Sequence, residues 1–424
     1  MPMNMMEKIL ANASGQNEVK PGQVVVANVD TQLLHDLSGY ITANVFENEV
    51  KREMRYPQRT AFVFDHHFSP PTEDRAKVLE RNRNFANKYG TRLYDCGSGN
   101  IHHVGVRKGL VRPGTVVVGS DSHTPVHGTL GCFAAGLGNN SHAATVMPFG
   151  KAWFMVPHTI KIEITGKTSH GVFPRDVALW LTGQIGEGGA VYKALHFTGP
   201  YIKEMGVWDR WLFPLITIDV GGKCAFIDPD QKTIDFVKSI TDTPFDVFTS
   251  DEDCEYEDVW KYEISDLAPQ VAASPTLGNL QPVDGDFAGK PIQWAELGGH
   301  GGGRIEDLRE AARVLKGKHI APGVKFNVVP SSREVFKEAV QEGLVEVFFD
   351  AGCTWFPPSA GSNQAINMGA MTENEAMIST QARNFPGRNG SPKAIMYLAS
   401  ASTVAASALE GCIADPRPYL EGGK

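Results

Sequence analysis

Three times within the first 125 residues a short apolar run ends in aspartate and histidine, and this repetition limits the possible folds most. Residues 60–64 run straight into Asp65-His66-His67, and residues 91–94 lead through Asp95-Cys96 to His102-His103. Residues 115–119 stop at Ser120-Asp121-Ser122-His123. An earlier run, 23–29, ends at Asp30 and is followed by Leu34-His35-Asp36. Short apolar runs between turn residues read as strands buried on both faces. Open α/β sheets put their sites at the carboxyl ends of such strands. The charged segment 73–89 between two of them predicts a surface helix.

The remaining chain keeps this alternation less regularly. The small residues of 128–138 predict a closely packed helix, 158–166 a strand, 174–183 a helix and 212–220 another strand. Residues 250–291, acidic and then rich in Pro, Gly and Asp, read as a long surface connection. Near the end, a strand at 325–329 precedes a helix with capping-box spacing at Ser331 and Glu334, running to Gly343. A strand at 345–349 would complete a right-handed crossover. An Ala/Ser-rich helix over 402–411 closes the series. A chain of 424 residues exceeds one compact core, so three lobes are expected, at 1–165, 166–290 and 291–424.

Composition excludes several classes. A net charge of −8 leaves no basic footprint for nucleic acid. No apolar run reaches the roughly 18–20 residues needed to cross a bilayer, so no membrane partner is expected. The first residues lack a secretory pattern, and cytoplasm is the expected location. The 6 cysteines are scattered without a C-x-x-C pair, which fits buried, reduced thiols.

Two further stretches carry chemistry. Gly298-Gly299-His300-Gly301-Gly302-Gly303 opens on a helix marked by Ile305, Leu308, Ala312 and Leu315. Glycines allow close backbone approach to a ligand, and a helix start favours an anion. His300 there is a metal ligand, a proton carrier or a polar core residue. Arg383-Asn384-Phe385-Pro386-Gly387-Arg388 supplies two guanidinium groups, which suit carboxylate or phosphate. With the Asp and His residues, they point to an enzyme for a small anionic substrate.

In order along the chain, these motifs resemble the aconitase superfamily, and within it the large subunits of 3-isopropylmalate dehydratase. The resemblance rests on Asp65-His66, Ile101-His102, Gly119-Ser120-Asp121-Ser122-His123-Thr124, Gly303-Arg304-Ile305-Glu306-Asp307-Leu308, Arg383-Asn384-Phe385 with Gly387-Arg388, and Asp415-Pro416-Arg417. It implies a three-lobed α/β/α architecture with mixed and parallel sheets, lacking the family's carboxy-terminal swivel domain. That domain would come from a small partner subunit. It further implies acid–base roles for Asp65, His66, His102, Asp121 and His123, and carboxylate binding by Ser122, Asp219, Arg304, Arg383 and Arg388.

The family's chemistry uses a four-iron four-sulfur cluster on three cysteines. The matching positions here are His300, Ala360 and Asn363, and a cluster needs thiolates. Two other expected substrate contacts are replaced by Ser141 and Ala382, and a family glutamate by Asp219. The expectation is therefore a lyase, a hydro-lyase or hydratase, acting on a di- or tricarboxylate without the cluster. It would work through His/Asp chemistry or through one divalent ion (Fe, Zn or Mn) on His300. A non-catalytic binding or regulatory paralogue is the first alternative. An isomerase, decarboxylase or carbon–carbon lyase on the same scaffold is the second.

Overall fold

A computed structural model describes residues 1–362, 365 and 367–420. Three of the apolar runs named above assemble, with two further strands, into one all-parallel sheet, while the run 23–29, expected as a buried strand, lies outside it with alternate residues exposed. In space the order is Arg92–Tyr94, Thr60–Val63, Thr31–His35, Val116–Gly119, Phe133–Gly136. The chain starts in the middle strand, Thr31–His35, winds to one edge, then returns to the other side of that strand. The winding reverses between Thr31–His35 and Val116–Gly119, and at such a reversal the connections diverge and leave a crevice. Val117, Val118, Phe62 and Val63 are fully buried, as a sheet covered on both faces requires.

A second parallel sheet orders Cys224–Phe226, Ala194–Thr198, Thr159–Thr165 and Asp258–Glu263. The third has seven strands, in the order Leu280–Pro282, Gln270–Ala273, Ile395–Leu398, Ala376–Ser379, Trp294–Leu297, Lys325–Val328, Thr354–Trp355. Its last five are mutually parallel, and the first two join antiparallel. Those five repeat the winding of the first sheet: the earliest strand, Trp294–Leu297, lies central, and the reversal falls between it and Ala376–Ser379. Val24–Asn28 and Lys151–Met155 form a separate antiparallel ribbon. The architecture is the expected α/β one, with parallel and mixed sheets. No helix among the described residues is long and apolar enough to cross a membrane.

The sheets do not stop at the expected lobe boundaries. Thr159–Thr165 belongs to the second sheet, and Gln270–Ala273 with Leu280–Pro282 to the third. One hydrophobic core runs from Leu33 and Val117 of the first sheet through to Phe197 of the second and Trp211 in the helical turns beside it.

Several local expectations fail for identifiable reasons. Residues 128–138 form no helix; a 3-10 turn, Thr124–Leu130, leads to the edge strand Phe133–Gly136. Gly128 sits where a Cβ would lie 1.7 Å from the Ala225 carbonyl oxygen, so its small size serves inter-lobe packing. Residues 212–220, apolar and β-branched, are helical turns, Leu212–Leu215 and Ile216–Ile218. Leu344–Asp350 is a helix instead of a strand. Its Phe348 packs edge-on against Phe326 and Trp355 while Phe349 stays exposed, and the next strand of the sheet comes at Thr354–Trp355. The cap of Arg333–Gln341 is Ser332, one residue beyond Ser331. Residues 250–291, expected as a surface connection, carry three strands. The helix Glu73–Tyr89 is half turned inward: Leu79, Asn82, Phe85 and Ala86 are buried, and Asn82 Nδ2 donates to the Asp36 carbonyl at 2.7 Å.

Candidate active site

The reversal crevice of the first sheet is lined by the ends of its strands. After Thr31–His35 comes Asp36, fully buried, whose Oδ1 accepts the N–H groups of Asp65 (3.0 Å) and His66 (2.9 Å). Its Oδ2 accepts the His67 N–H at 2.9 Å. One carboxylate thus fixes the turn after Thr60–Val63. That turn aims Asp65 into the crevice, where its Oδ1 holds His66 Nδ1 at 2.7 Å. Asp65 Oδ2 accepts the Ile101 N–H at 2.8 Å, at the start of the helix Ile101–Arg107, where a negative charge is favoured. Asp121, after Val116–Gly119, accepts His102 Nε2 at 3.1 Å and the His123 N–H at 2.7 Å.

The third sheet closes the crevice from the opposite side. Beyond Trp294–Leu297 the glycine loop brings His300 between the two carboxylates, its Nε2 3.9 Å from Asp65 Oδ2 and its Nδ1 3.7 Å from Asp121 Oδ1. Its ring centroid lies 4.9 Å from that of His102, 5.5 Å from His123 and 5.6 Å from His66. Beyond Ala376–Ser379 lie Gln381, Arg383 and Arg388. Arg383 Nε donates to Asp219 Oδ1 at 2.8 Å, and Asp219 Oδ2 stands 3.8 Å from His123 Nε2. Arg388, buried, spends only its Nε, on Gln381 Oε1 at 3.1 Å. Among the described residues its two Nη groups have no acceptor.

These imidazoles sit in opposite electrostatic states. Burial works against a charged His66, yet the adjoining Asp65 carboxylate holds its pKa up at about 9. Burial dominates at His300, where the pKa falls to about 4 despite Asp121 and Asp65 nearby. Burial opposes ionisation of Asp121 too, but His300, His102 and His123 hold it well below the usual carboxylate range. His123 is raised, burial being outweighed by Asp121 and Asp219. Burial and then Arg383 lower Arg388 to about 10, which leaves it cationic at neutral pH.

The glycine loop has a different purpose from the one its composition suggested. A Cβ on Gly302 would lie 2.0 Å from Thr380 Oγ1, and one on Gly303 2.2 Å from the Val329 carbonyl oxygen. One on Gly301 would meet Arg175 Nη1 at 2.5 Å. The glycines make room for protein. Arg175, fully buried and missed in the sequence, donates to the carbonyls of Ala399 (3.0 Å), Gly301 (3.1 Å) and Gln381. It ties the His300 loop to the arginine loop.

Arg304, expected to bind substrate, does not reach the crevice. Its Nε and Nη2 form a bidentate pair with Asp307 at 3.0 and 2.6 Å, and Nη1 goes to the Trp208 carbonyl. The Arg304 N–H also donates to Asp307 Oδ2 at 3.0 Å, so this pair caps the helix Ile305–Leu315. With all its donors committed, Arg304 holds lobes together. Ser122 is exposed at the turn. Other unforeseen members are Glu296, which takes the Gln381 amide at 3.0 Å and the Ser362 N–H at 3.2 Å, and Asn100, which donates to the Gly299 carbonyl at 3.3 Å. Only Asp36 and His35 carried a signal, being the same Asp/His pattern at a strand end.

The positions expected to correspond to the family's cluster ligands, His300, Ala360 and Asn363, carry no cysteine. His300 carries an imidazole, and Ala360, fully buried, meets Asp65 only through its backbone N–H (3.1 Å). Asn363 lies outside the described residues. Cys353 is in the third-lobe core, its thiol pushed up to about 12 by burial, and the thiol of Cys96 faces the His67 carbonyl at 3.9 Å. The potential ligand atoms that converge among the described residues belong to His66, Asp121 and His300, and to His35, Asp36, Asp65 and His66. This donor set does not fit an iron–sulfur cluster.

Residues 7–291 and 284–411 match the aconitase family (aconitate hydratase). The chain is 41% identical to 3-isopropylmalate dehydratase large subunit 1 of Methanopyrus kandleri, over 99% of this chain and 100% of that one. It is 38% identical to a probable methanogen homoaconitase large subunit of Methanothermobacter thermautotrophicus, over 99% of each. It is also 38% identical to the 3-isopropylmalate dehydratase large subunit of Aquifex aeolicus, over 98% and 97%. Thermococcus kodakaraensis aconitase X in its holo form superposes with a TM-score of 0.49 at 11% identity, over 84% of each chain.

Proposed function

The chain belongs to the aconitase family and is a hydro-lyase-type enzyme, and from that premise we propose that it hydrates or dehydrates a small hydroxy-di- or tricarboxylate without an iron–sulfur cluster. The observation that carries the reading is the replacement of a thiolate set by His300 and Ala360 beside an intact Asp65–His66 pair. In the dehydration direction His66, charged through Asp65, gives its proton to the leaving hydroxyl as the carbon–oxygen bond breaks. His123 or His102, oriented by Asp121, takes the proton from the adjacent carbon, and the released electron pair becomes the double bond. Arg388 holds a carboxylate through its uncommitted Nη groups, and Arg383, shared with Asp219, holds another at the mouth. The relatives named as large subunits support a small partner subunit that completes the cavity.

The test combines anaerobic purification with assay of unsaturated di- and tricarboxylates by ultraviolet absorbance. Turnover without iron and acid-labile sulfide, reduced at least a hundredfold in Arg388→Gln, is the expected result. Cluster-stoichiometric iron and sulfide that track activity would overturn it.

A second reading, one divalent ion held by His66, Asp121 and His300, is favoured by two observations. Their ligand atoms lie within 4.8 Å of one another, and the buried His300 Nε2 has no hydrogen-bond partner among the described residues. N/O donors suit Zn, Fe(II) or Mn, and Asp65 behind His66 is the usual carboxylate behind a metal-bound imidazole. Bound there, the ion would polarise the substrate hydroxyl. Metal analysis giving one ion per chain, lost in His300→Ala, supports this reading; metal-free turnover removes it.

A further inference from the structure

At the edge of the first sheet opposite the candidate active site, positive charge exceeds negative. The amino-terminal ends of Thr31–His35, Thr60–Val63 and Arg92–Tyr94 border a cleft of about 310 Å³, lined by Arg59, Arg92, Lys108 and Arg112. Thr241 and Thr243 reach over it from the second lobe. The seating is close, since a Cβ on Gly109 would lie 2.7 Å from Thr241 Cβ.

Lys108 is neutralised by Glu334 at 2.6 Å. Among the described residues, Arg59, Arg92 and Arg112 form no salt bridge. Arg59 Nη1 goes to the Val29 carbonyl at 2.9 Å and Arg112 Nη1 to that of Gly109 at 2.8 Å, while the buried Nε of Arg112 has no acceptor. Asp30, the single carboxylate on the cleft, accepts the Val116 N–H at 2.9 Å and keeps one negative charge against the four cations. In a chain of net charge −8, three guanidiniums without a salt bridge around one carboxylate, Arg59 lying over the Tyr56 ring at 4.3 Å, make a half-enclosed cleft of net positive charge that suits a bound anion. Burial lowers the Arg112 pKa; the Asp30 carboxylate opposes this and Arg92 adds to it only weakly.

We propose that this cleft binds a small, doubly charged oxyanion of the phosphate or phosphate-monoester class, held between the first and second lobes. Guanidinium forks match phosphate oxygens in pairs. Thr241 Oγ1 donates to Thr243 Oγ1 at 3.0 Å, which leaves the Thr243 hydroxyl free to donate to the anion. The volume admits phosphate with a small organic substituent. Because the cleft opens at the amino-terminal edge, its occupant would not compete with a substrate at the carboxyl edge.

Calorimetric titration of the full chain with inorganic phosphate, at constant ionic strength set by chloride, tests this. One saturable site is expected, weakened at least tenfold by Arg92→Gln and by Arg112→Lys, and unchanged in Arg388→Gln. Arg92 is exposed, so its replacement leaves folding intact even if Arg112→Lys does not. Absence of saturable binding, or binding unchanged in Arg92→Gln, would overturn the proposal. Loss in Arg388→Gln alone would move the phosphate to the candidate active site and overturn it equally. Succinate binding as tightly, with the same arginine dependence, would replace the phosphate class by a carboxylate.

Discussion

The first and third lobes wind their parallel strands in the same order and turn their reversal crevices toward each other, yet they bring opposite chemistry to the cavity between them. The first supplies carboxylates and imidazoles placed directly at strand ends, Asp36, Asp65 and Asp121 among them. The third supplies a loop and guanidiniums whose positions depend on Arg175, Thr380 and Gln381 from other segments. The contrast is sharpest in two histidines that both approach Asp65. His66 is 2.7 Å from that carboxylate and charged. His300, at 3.9 Å and among three other imidazoles, is neutral. Burial wins at His300 because Asp121 and Asp65 offset it only in part and His102 and His123 add to it, whereas at His66 the direct hydrogen bond to Asp65 and its charge outweigh burial.

Replacing each histidine would break or sharpen this contrast most. His66→Gln should lower kcat by roughly 10²–10⁴-fold, the usual weight of a positioned general acid. His300→Gln should cost about tenfold or less if His300 only shapes the cavity. Equal losses in steady-state assays of the two variants would erase the distinction, and a complete loss in His300→Gln would favour the bound ion.

Stability against pH should show the same opposition, measured by chemical unfolding of chelator-washed protein. His66 is raised above its ordinary value, so its contribution is full below about pH 6.5 and is lost as pH rises through about 9. The size is on the order of 3 kcal/mol. His300 and His35, both held near 4 by burial, take up protons more readily unfolded, so stability should rise with pH between about 4 and 6.5. A flat profile from pH 7 to 9, unchanged by His66→Gln, would contradict the charged assignment.

The smallest effect concerns the loop itself. Gly302→Ala drives a methyl into Thr380, whose Oγ1 bonds both the N–H (2.9 Å) and the carbonyl (3.1 Å) of Gly298. It should destabilise by about 1–3 kcal/mol, with partial relief in the double variant with Thr380→Ala. Full stability in thermal melts of Gly302→Ala would show that the glycines are not required by packing.

Asp65, His66, His102, Asp121 and His123 were legible because their placement follows from local rules: a buried strand, a turn, and a short polar side chain at its end. Three of the five strands of their sheet were legible for the same reason, while Thr31–His35 and Phe133–Gly136 were not expected as strands. Residues 212–220 and 345–349 were misjudged because their β-branched and aromatic content describes burial, which tertiary partners satisfied with helices. Arg304 was misassigned because its partners, Trp208 and Asp307, compete for the guanidinium in a way no motif reveals. Arg175 stood in no motif at all.

The sequence by itself determined the alternating α/β framework, the family, and the absence of cysteine at His300 and Ala360, since these depend on residue type and order alone. Only the tertiary structure decided which imidazole is charged, which arginine keeps free donors, and why three glycines follow His300. Those properties arise from distances and burial among segments up to some 300 residues apart in the chain, such as Asp65 and Ala360. A one-dimensional pattern does not encode such distances.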